Sequence, residues 1–587
     1  MSTESETAIV KSNTGAASVP IQHIKGEPLN TVQRQYLEGF FAGLAARGLK
    51  FSDVEPAPEA KKPVALDDLI FEERVKHELH PLDAYPRLVE NGVRNLAPDK
   101  EDLFRFKWHG LFYLSPNKEA FMARLRIPGG RLKTFQLREL ANISKELTSG
   151  YVQVTTRANL QLRLIQPKDA PELLRRIQAV GLHTRGAGAD NIRNLTANPT
   201  AGIDPCELID VMPLCLELAQ SIINDRTFYD LPRKFNIAYD GGGLIGTVED
   251  TNDIGAKAVK VGDDVLFRIA LGGATGHKSF ARDLGVLATP LELNKVILAL
   301  VRVFIANGNR ADRKRARLKH LLETWSLEKY LGETEKLLGF QLRRAPLEST
   351  PLSFPSQSLP HSHLGVYPQK QAGLNYVGVA LPVGQLTPKQ MLRVAEIADL
   401  YGSGEVRLTV WQNFIIPNVP DAFAETVKKA LRKIGLDTKQ SLLRGGLVAC
   451  TGNAYCKFAQ TNTKAHAAGL ADYLDKKFHL EQPLNIHLTG CPNSCAQHYM
   501  GDIGLLGTKV KHSTTGEGYH VFVGGGFGAH QAVGRQIFSG VSVDELKTTV
   551  EKMLNGYLRH RQASESFRQF TQRHDLNGLQ AIFSNEE

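Results

Sequence analysis

The sequence predicts an α+β fold made of two halves that are copies of each other. Residues 119–182 and 373–436 each show strand-like and helix-like apolar spacing in the order strand, helix, strand, strand, helix. Three landmarks recur at a constant spacing of 254 residues: Pro128 and Pro382, Asn159 and Asn413, Gly181 and Gly435. This order of elements is that of a ferredoxin-like layer, with helices on one face of an antiparallel sheet.

The 587 residues are too many for one core and predict several domains. A longer, less regular segment follows each repeat, and we name these segments the first and second companion domains. A space between two halves related by a pseudo-twofold axis suits a large cofactor. The predicted divisions are an N-terminal arm (1–65), the first repeat (66–190), the first companion domain (191–350), the second repeat (351–440) and the second companion domain (441–587).

Composition and charge indicate a globular protein that attracts anions. Apolar residues make up 42% and charged residues 22%, and 71 basic against 61 acidic side chains give a net charge of +10. A small anionic substrate, an anionic cofactor or an acidic protein partner would suit that charge. The basic residues are dispersed and follow no nucleic-acid-binding motif, so nucleic acid is not an expected partner. With no secretory pattern and no run of ~18 apolar residues, we expect a cytoplasmic protein without a membrane span.

Four of the six cysteines lie within residues 450–495. Cys450 and Cys456 form a C-x5-C pair, and Cys491 and Cys495 form a C-x3-C pair in a Gly- and Pro-containing turn. In a reducing compartment, such clustering indicates metal binding or catalysis rather than disulfides. Four thiolates suit a [4Fe–4S] cube, one for each iron. Structural zinc prefers shorter spacings than C-x5-C but stays an alternative at this point.

The GCPNSC motif follows an apolar strand and begins 34 residues after Cys456. With the duplicated unit, it resembles the sirohaem–[4Fe–4S] nitrite and sulfite reductase family over roughly residues 30–570. The resemblance implies that both companion domains bind cofactor and that the cluster ligands are Cys450, Cys456, Cys491 and Cys495. It further implies that Cys495 bridges the cluster to the sirohaem iron, which would give electrons a short path and leave the far side of the haem free for substrate.

The resemblance also supplies an anion-binding set. Sirohaem has eight carboxylates and its substrate is an anion, so burying them requires basic partners. Four positions match the family's substrate-binding residues: Arg124, Arg193, Lys234 and Asn236. Four further residues are expected to contact sirohaem: Arg157, Gln161, Arg310 and Asn493. The second repeat has Trp411 at the position of Arg157, as expected if only one half holds the haem.

Asn236 favours nitrite, because family members that reduce sulfite typically have lysine there. A cysteine that forms a crosslink in some sulfite-reducing members is also missing from the stretch before Arg193. We therefore expect an assimilatory, six-electron reduction of nitrite to ammonium. No flavin or nicotinamide module is evident, since Gly241–Gly246 matches G-x-G-x-x-G without the helix that a dinucleotide site needs. Electrons are expected from a small acidic ferredoxin, or from flavodoxin, delivered to a monomer.

Three alternatives remain open from the sequence. The first is a sulfite reductase on the same scaffold, which produces sulfide. The second is precorrin-3B synthase, an oxygen-using tetrapyrrole enzyme that resembles this family. The third is a binding protein without catalytic activity, stabilised by zinc or a cluster, that uses its basic surface.

Overall fold

A computed structural model describes residues 66–113, 119–352, 361 and 363–584, with residues 23–24, 27–29, 31, 34 and 37 near the N-terminus. The chain divides into two compact units, Met1–Leu69 and Ile70–Glu587. In the first unit, His23–Ile24 pairs antiparallel with Glu27–Pro28. Most of the arm predicted over residues 1–65 lies outside the described residues. All four remaining predicted divisions lie in the second unit, almost in full, and their boundaries stay predictions.

Each repeat forms a five-stranded sheet that borrows one strand from the other repeat. Arg131–Lys133 of the first repeat pairs with Glu405–Leu408 of the second, while Gln385–Leu386 of the second pairs with Val152–Val154 of the first. The two borrowed strands are themselves 254 residues apart. The long helices that follow them pack against each other. The predicted ferredoxin-like duplication with a pseudo-twofold relation is therefore confirmed, and the exchange interlocks the two copies.

The strands and helices of the repeats follow the predicted order. The sheet of the first repeat has the order Gln385–Leu386, Val152–Val154, Leu160–Ile165, Phe121–Arg124 and Leu111–Tyr113, and its helices are Thr134–Leu147 and Ala170–Ala179. The sheet of the second repeat has the order Gly365–Pro368, Leu374–Val379, Phe414–Pro420, Glu405–Leu408 and Arg131–Lys133, and its helices are Pro388–Tyr401 and Ala424–Arg432. Within residues 66–113, the helices Phe71–Glu78, Tyr85–Arg94 and Lys100–Arg105 precede the strands of the first repeat.

The companion domains share a second common topology, which the sequence analysis did not find. In each, a parallel strand pair continues into two antiparallel strands, and helices flank the sheet. The first contains strands Ile237–Asp240, Ile254–Val261, Asp264–Leu271, Arg282–Ala288 and Arg343–Arg344, with helices Met212–Asn224, Pro290–Asn307, Leu318–Thr324 and Leu327–Leu338. The second contains strands Leu447–Ala449, Ile486–Thr489, Ile503–Lys509, Glu517–Val523 and Arg535–Ser542, with helices Thr463–Leu474, Leu546–His560, Phe567–Arg573 and Leu576–Ser584.

Matching hydrogen bonds fix the correspondence between the companion domains. The Asn236 N–H donates to the Asp253 carboxylate over 2.8 Å, and the Asn485 N–H donates to Asp502 over 2.7 Å. Asn485 follows Asn236 by 249 residues, and Asp502 follows Asp253 by the same number. Since equivalent polar contacts recur at equivalent points of the sheet, the duplication extends beyond the two repeats to the whole of each half.

The Gly241–Gly246 segment lies at the end of the strand Ile237–Asp240 and leads into a short turn of helix, Glu249–Thr251, and then into a strand. The long helix of a dinucleotide site does not follow it, which agrees with the sequence analysis. Among the described residues, no helix combines the length and the apolar character needed to cross a membrane.

Candidate cofactor and anion site

The cysteines lie in two loops that leave neighbouring parallel strands. Leu447–Ala449 and Ile486–Thr489 are parallel, with Ala449 opposite Leu488. Cys450 directly follows the first strand and Cys491 closely follows the second. Because parallel strands end at the same edge of a sheet, this topology places both cysteine loops side by side, as in other α/β ligand sites.

Gly490 joins the two loops. Its N–H donates to the Cys450 sulfur over 3.2 Å, and its carbonyl accepts from the Gln460 N–H over 2.7 Å. A Cβ at Gly490 would lie 2.6 Å from the Cβ of Ala459. Only glycine therefore allows this close approach.

The four thiols influence one another electrostatically. Burial, together with the charges of Cys495, Cys456 and Cys450, raises the pKa of Cys491 to about 11. Cys495 is exposed to the adjoining space, yet the surrounding protein raises the pKa of its thiol as well, with Cys450 and Cys456 among its charged neighbours. The four thiols are thus within electrostatic range of one another, and a bound metal group would relieve their repulsion by taking the thiolates as ligands.

Within the described part of the chain, no three His, Cys, Asp or Glu side chains are placed to share one metal ion. A zinc site with one metal ion, the alternative considered for these cysteines, thus gains no support from the geometry. A [4Fe–4S] cube does not require all four sulfurs to meet at one atom, because each thiolate binds its own iron.

Four basic side chains form a wall beside Cys495. Burial lowers the pKa of Arg124, lowers that of Arg157 to about 10 and lowers that of Lys234 to about 7, whereas the Cys495 charge raises the pKa of each. Burial also lowers the pKa of Arg193 well below its usual value, and Arg124 lowers it further. These four side chains lie deep in the protein and yet are only half-buried, which indicates that they line a concave surface.

These four cations have no ion-pair partner among the described residues. Arg193 donates to the carbonyls of Ala187 and Ala189 over 2.7 and 2.9 Å, and its Nε is buried without a hydrogen-bond partner. Arg157 donates to the Asn252 side chain over 2.5 Å. Desolvated cations of this number require an anion. The residues present therefore fit a polycarboxylate macrocycle and an oxyanion substrate beside Cys495.

Asn236 is held by a buried ion pair that the sequence analysis missed. Its N–H donates to the Asp253 carboxylate, which also receives bidentate hydrogen bonds from Arg317 over 2.8 and 3.0 Å. The Oδ1 atom of Asn236 is buried and has no hydrogen-bond partner. Arg317 is also the charge that most strongly lowers the pKa of Lys234 after burial. Asp253 thus fixes the backbone of Asn236 and balances a cation next to Lys234.

Three of the residues expected to contact sirohaem lie at or near the cysteine loops, and each has different contacts. The Thr156 hydroxyl donates to the Cys495 carbonyl over 2.9 Å, so the turn that contains Arg157 touches the second cysteine loop. The Gln161 side chain is buried and accepts from Arg163 over 2.5 Å. The backbone of Asn493 lowers the pKa of the Cys491 thiol, and the Asn493 side chain is exposed. These contacts bring Arg157, Gln161 and Asn493 to the cysteine loops, although their contact with sirohaem stays a prediction.

Arg310 forms ion pairs with carboxylates away from the cysteine loops. Its guanidinium donates to Glu73 over 2.9 Å and to the Asp230 side chain and carbonyl over 3.2 and 2.8 Å. These two carboxylates raise its pKa despite burial, and no residue of the basic wall is among its charged neighbours. The expectation that Arg310 contacts sirohaem therefore finds no support in its contacts. The arginine of this basic run that lies beside Lys234 is Arg317.

The position related to this site by the pseudo-twofold axis lacks the same chemistry. In the first companion domain Asn198 takes the place of Cys450, because the Gly241 N–H donates to the Asn198 Oδ1 over 2.7 Å just as the Gly490 N–H donates to the Cys450 sulfur. In the second repeat Trp411, in place of Arg157, is buried and stacks against His363 with ring centroids 5.7 Å apart. The site therefore combines Arg157 of the first repeat with Cys450 of the second companion domain, and the related position has neutral side chains instead.

Family comparisons match all four parts of the fold. A family described as "Nitrite and sulphite reductase 4Fe-4S domain" matches residues 188–342 and 444–587, and one described as "Nitrite/Sulfite reductase ferredoxin-like half domain" matches residues 113–180 and 367–434. Each family thus matches twice, once in each half.

Curated relatives cover most of the chain. A ferredoxin–nitrite reductase of Synechococcus elongatus is 37% identical over 459 residues, which are 77% of this chain and 88% of the relative. The chloroplastic ferredoxin–nitrite reductase of Spinacia oleracea is 34% identical over 82% of this chain and 84% of its own length. An assimilatory ferredoxin-dependent nitrite reductase of Haloferax mediterranei is 31% identical over 84% and 89%. Among solved structures, the NirA protein of Mycobacterium tuberculosis superposes with a TM-score of 0.80 at 29% identity and covers 88% of this chain and 98% of that one.

Proposed function

Because this chain belongs to the nitrite and sulfite reductase family, we propose that it catalyses the assimilatory six-electron reduction of nitrite to ammonium with ferredoxin as electron donor. The observation that carries the proposal is the juxtaposition of four thiols in two adjoining loops with a wall of half-buried cations that lack ion-pair partners. Relatives named as ferredoxin–nitrite reductases cover 77–84% of the chain. The sulfite reductase alternative is not favoured by these relatives.

The residues divide the chemistry among themselves. When bound, the [4Fe–4S] cluster and the sirohaem would carry electrons from ferredoxin to the substrate. Cys450, Cys456, Cys491 and Cys495 would hold the cluster, and Cys495 would be shared with the sirohaem. Arg124, Arg193 and Lys234 would hold the substrate oxygens and stabilise negative charge as the N–O bonds lengthen.

Lys234 is the cation best suited to supply protons. Burial lowers its pKa to about 7, so its Nζ can release a proton near neutral pH more readily than an arginine can. Asn236 adds no charge to this wall, and its backbone position is fixed by Asp253. The cations of this wall suffice to bind nitrite, which carries one negative charge. Sulfite is bulkier and partly dianionic, so it would bind better with a further lysine.

The electron donor would approach a chain of net charge +10, which favours an acidic protein such as ferredoxin. We also propose that the chain acts as a monomer in the cytoplasm, that its divisions follow the predicted boundaries, and that Arg157, Gln161 and Asn493 contact the sirohaem carboxylates.

The test compares nitrite and sulfite as substrates of the purified, coloured holoprotein with reduced ferredoxin. We expect a higher specificity constant (kcat/KM) for nitrite and expect Asn236→Lys to shift the ratio towards sulfite. The matched control is Asn485→Lys, which makes the same change at the equivalent position of the other half. A preference for sulfite in the unchanged protein, or a preparation without iron and tetrapyrrole, would contradict the proposal.

A further inference from the structure

Two buried cations beside the cysteine loops have no part in the substrate wall. Arg163 lies in the strand Leu160–Ile165 and is 3% exposed, and Lys464 lies in the first turn of the helix Thr463–Leu474 and is 7% exposed. Burial lowers the pKa of Arg163 to about 10 and that of Lys464 to about 7, and the nearby charge of Cys450 raises both, as the charge of a bound cluster would do further. Side chains of this type are rarely buried without a charged partner.

Arg163 joins the first repeat to the C-x5-C loop. Its Nη2 donates to the Thr451 hydroxyl over 2.6 Å, and its Nη1 lies 3.5 Å from the Tyr455 carbonyl. Its remaining bonds are to the side-chain oxygens of Gln153 and Gln161, over 2.9 and 2.5 Å. Every acceptor is neutral, so hydrogen bonds satisfy the guanidinium while its charge stays unbalanced.

Lys464 also has hydrogen-bond acceptors but no counter-charge. Its Nζ donates to the Ala449 carbonyl over 3.2 Å and to the Val383 carbonyl. Val383 has a φ of 44°, an unfavourable conformation for a β-branched residue, at a turn where the first repeat has Gly129. Along the described residues, no carboxylate lies within ion-pair distance of either Lys464 or Arg163. Two buried cations without an acid would destabilise the fold strongly unless another anion balanced them.

The position related to this one by the pseudo-twofold axis provides an internal comparison. It is formed by the second repeat and the first companion domain, where Arg407 donates to the Pro199 carbonyl over 3.1 Å. In the second repeat, Pro417 stands 254 residues after Arg163, at the same point of the duplicated strand. In the first companion domain, Met212 packs against Gly129 just as Lys464 contacts Val383, and Asn198 replaces Cys450. Uncharged residues thus replace both cations at the position that lacks the thiol, although the surrounding fold is repeated.

We propose that Arg163 and Lys464 form a pair of buried counter-charges for the cysteine-held cluster and thereby set how easily it accepts an electron. The inference rests on the proposed function, since it requires that the four cysteines bind a cluster. Four thiolates give an oxidised [4Fe–4S] group a net negative charge, and reduction adds one more. A fixed cation in a medium of low dielectric constant stabilises the reduced form more than the oxidised form.

The test measures the cluster's reduction midpoint in the holoprotein by a redox titration with soluble mediators, followed by electron paramagnetic resonance. Lys464→Met introduces the residue found in the other half, and Arg163→Gln removes the second charge. Each should lower the ratio of reduced to oxidised cluster about tenfold at the unchanged protein's midpoint, which corresponds to about 59 mV for one electron. Lys464→Arg and Arg163→Lys keep the charge and should restore most of that ratio.

Lys457→Met is the matched control, because Lys457 is exposed and next to Cys456. Water screens its charge, so the midpoint should change far less than in Lys464→Met. If a neutral variant fails to load, iron content per chain replaces the midpoint as the readout. Loss of iron in Lys464→Met with retention in Lys464→Arg supports a role for charge.

Equal midpoints in all variants, equal shifts in the neutral and charge-keeping variants, or loss of iron in both would overturn the proposal. These results leave the proposed function untouched, since that is judged by the iron content, colour and nitrite turnover of the unchanged protein. Mediators replace ferredoxin in the titration, so an altered docking of the donor cannot mimic an altered midpoint.

Discussion

Replacing Asp253 with asparagine should destabilise the first companion domain. Asp253 is fully buried at 0% exposed and is the acidic partner of Arg317, which is 5% exposed. The asparagine is nearly the same size but leaves the arginine without a counter-charge. Breaking a buried ion pair from one side costs about 3–5 kcal/mol. Since each kcal/mol moves the unfolding midpoint of a domain of this size by about 2–4 °C, the expected loss is on the order of 10 °C.

The equivalent aspartate of the other half is the matched control. Asp502 is 4% exposed and accepts from the Asn485 N–H, but burial raises its pKa to about 6, and within the described residues no cation lies at ion-pair distance. A raised pKa means that the folded state disfavours the charge, so this penalty appears as the pH rises from about 4 to about 6 and persists above it. Asp502→Asn should therefore leave the midpoint at pH 8 unchanged or raise it.

Differential scanning calorimetry at pH 8 measures the unfolding midpoints of the two variants. Steady-state kinetics with nitrite report whether the substrate-binding residues are altered. Asp253→Asn should also raise the KM for nitrite, because the Asn236 N–H loses its charged acceptor and an unbalanced Arg317 lies beside Lys234. Adding Arg317→Met should recover much of the stability, since a buried ion pair can be replaced by apolar groups at little cost. Similar midpoints for Asp253→Asn and Asp502→Asn would refute this reasoning.

Three further predictions concern the thiols, the buried histidines and the donor. Cys491→Ser should lose most of its iron while Cys215→Ser, whose thiol is buried in a helix away from the other cysteines, keeps it; equal iron contents would contradict the assignment. Burial lowers the pKa of His183, His363 and His498 to about 3 each, so the stability they contribute is complete above about pH 6.5 and is lost as the pH falls towards 3. Unfolding midpoints should fall steeply as the pH drops below about 6.5 towards 3, and a flat profile over that range would count against this. Finally, the KM for an acidic ferredoxin should rise with ionic strength while mediator-driven turnover changes little, and equal dependence of the two would argue against electrostatic docking.

Much of the fold could be predicted because the two copies of the duplicated unit share one spacing of apolar residues and of turn residues. The spacing of 254 residues between Pro128 and Pro382 marked equivalent turns, and both indeed begin short helical turns. The same reasoning did not find the duplication of the companion domains. Their loops differ in length, and the positions that correspond are chemically different, as with Cys450 and Asn198. Within this one sequence a repeat that has diverged in residue type is hard to recognise, and here the pairing of its strands makes it visible.

Arg310 and Arg317 show what spacing alone leaves undecided at the site. In the sequence it lies in a dense basic run, and nothing there distinguishes it from Arg317. In the structure, Arg310 pairs with Glu73 from a helix more than two hundred residues earlier, and Arg317 pairs with Asp253. The sequence gives no indication that Asp253, Arg163 and Lys464 are buried, since an isolated charged residue is most often exposed.

The sequence by itself determined the chemical groups: four thiols in two short motifs, a set of cations at family positions, and a doubled α+β pattern. These are local properties, set by residue type and spacing. Only the tertiary structure decided which cations face a carboxylate and which face the thiols, because charges separated by hundreds of residues interact according to their distance in space and the dielectric around them. The exchange of strands between the repeats and the parallel strand ends bring the cations of the first half to the thiols of the second.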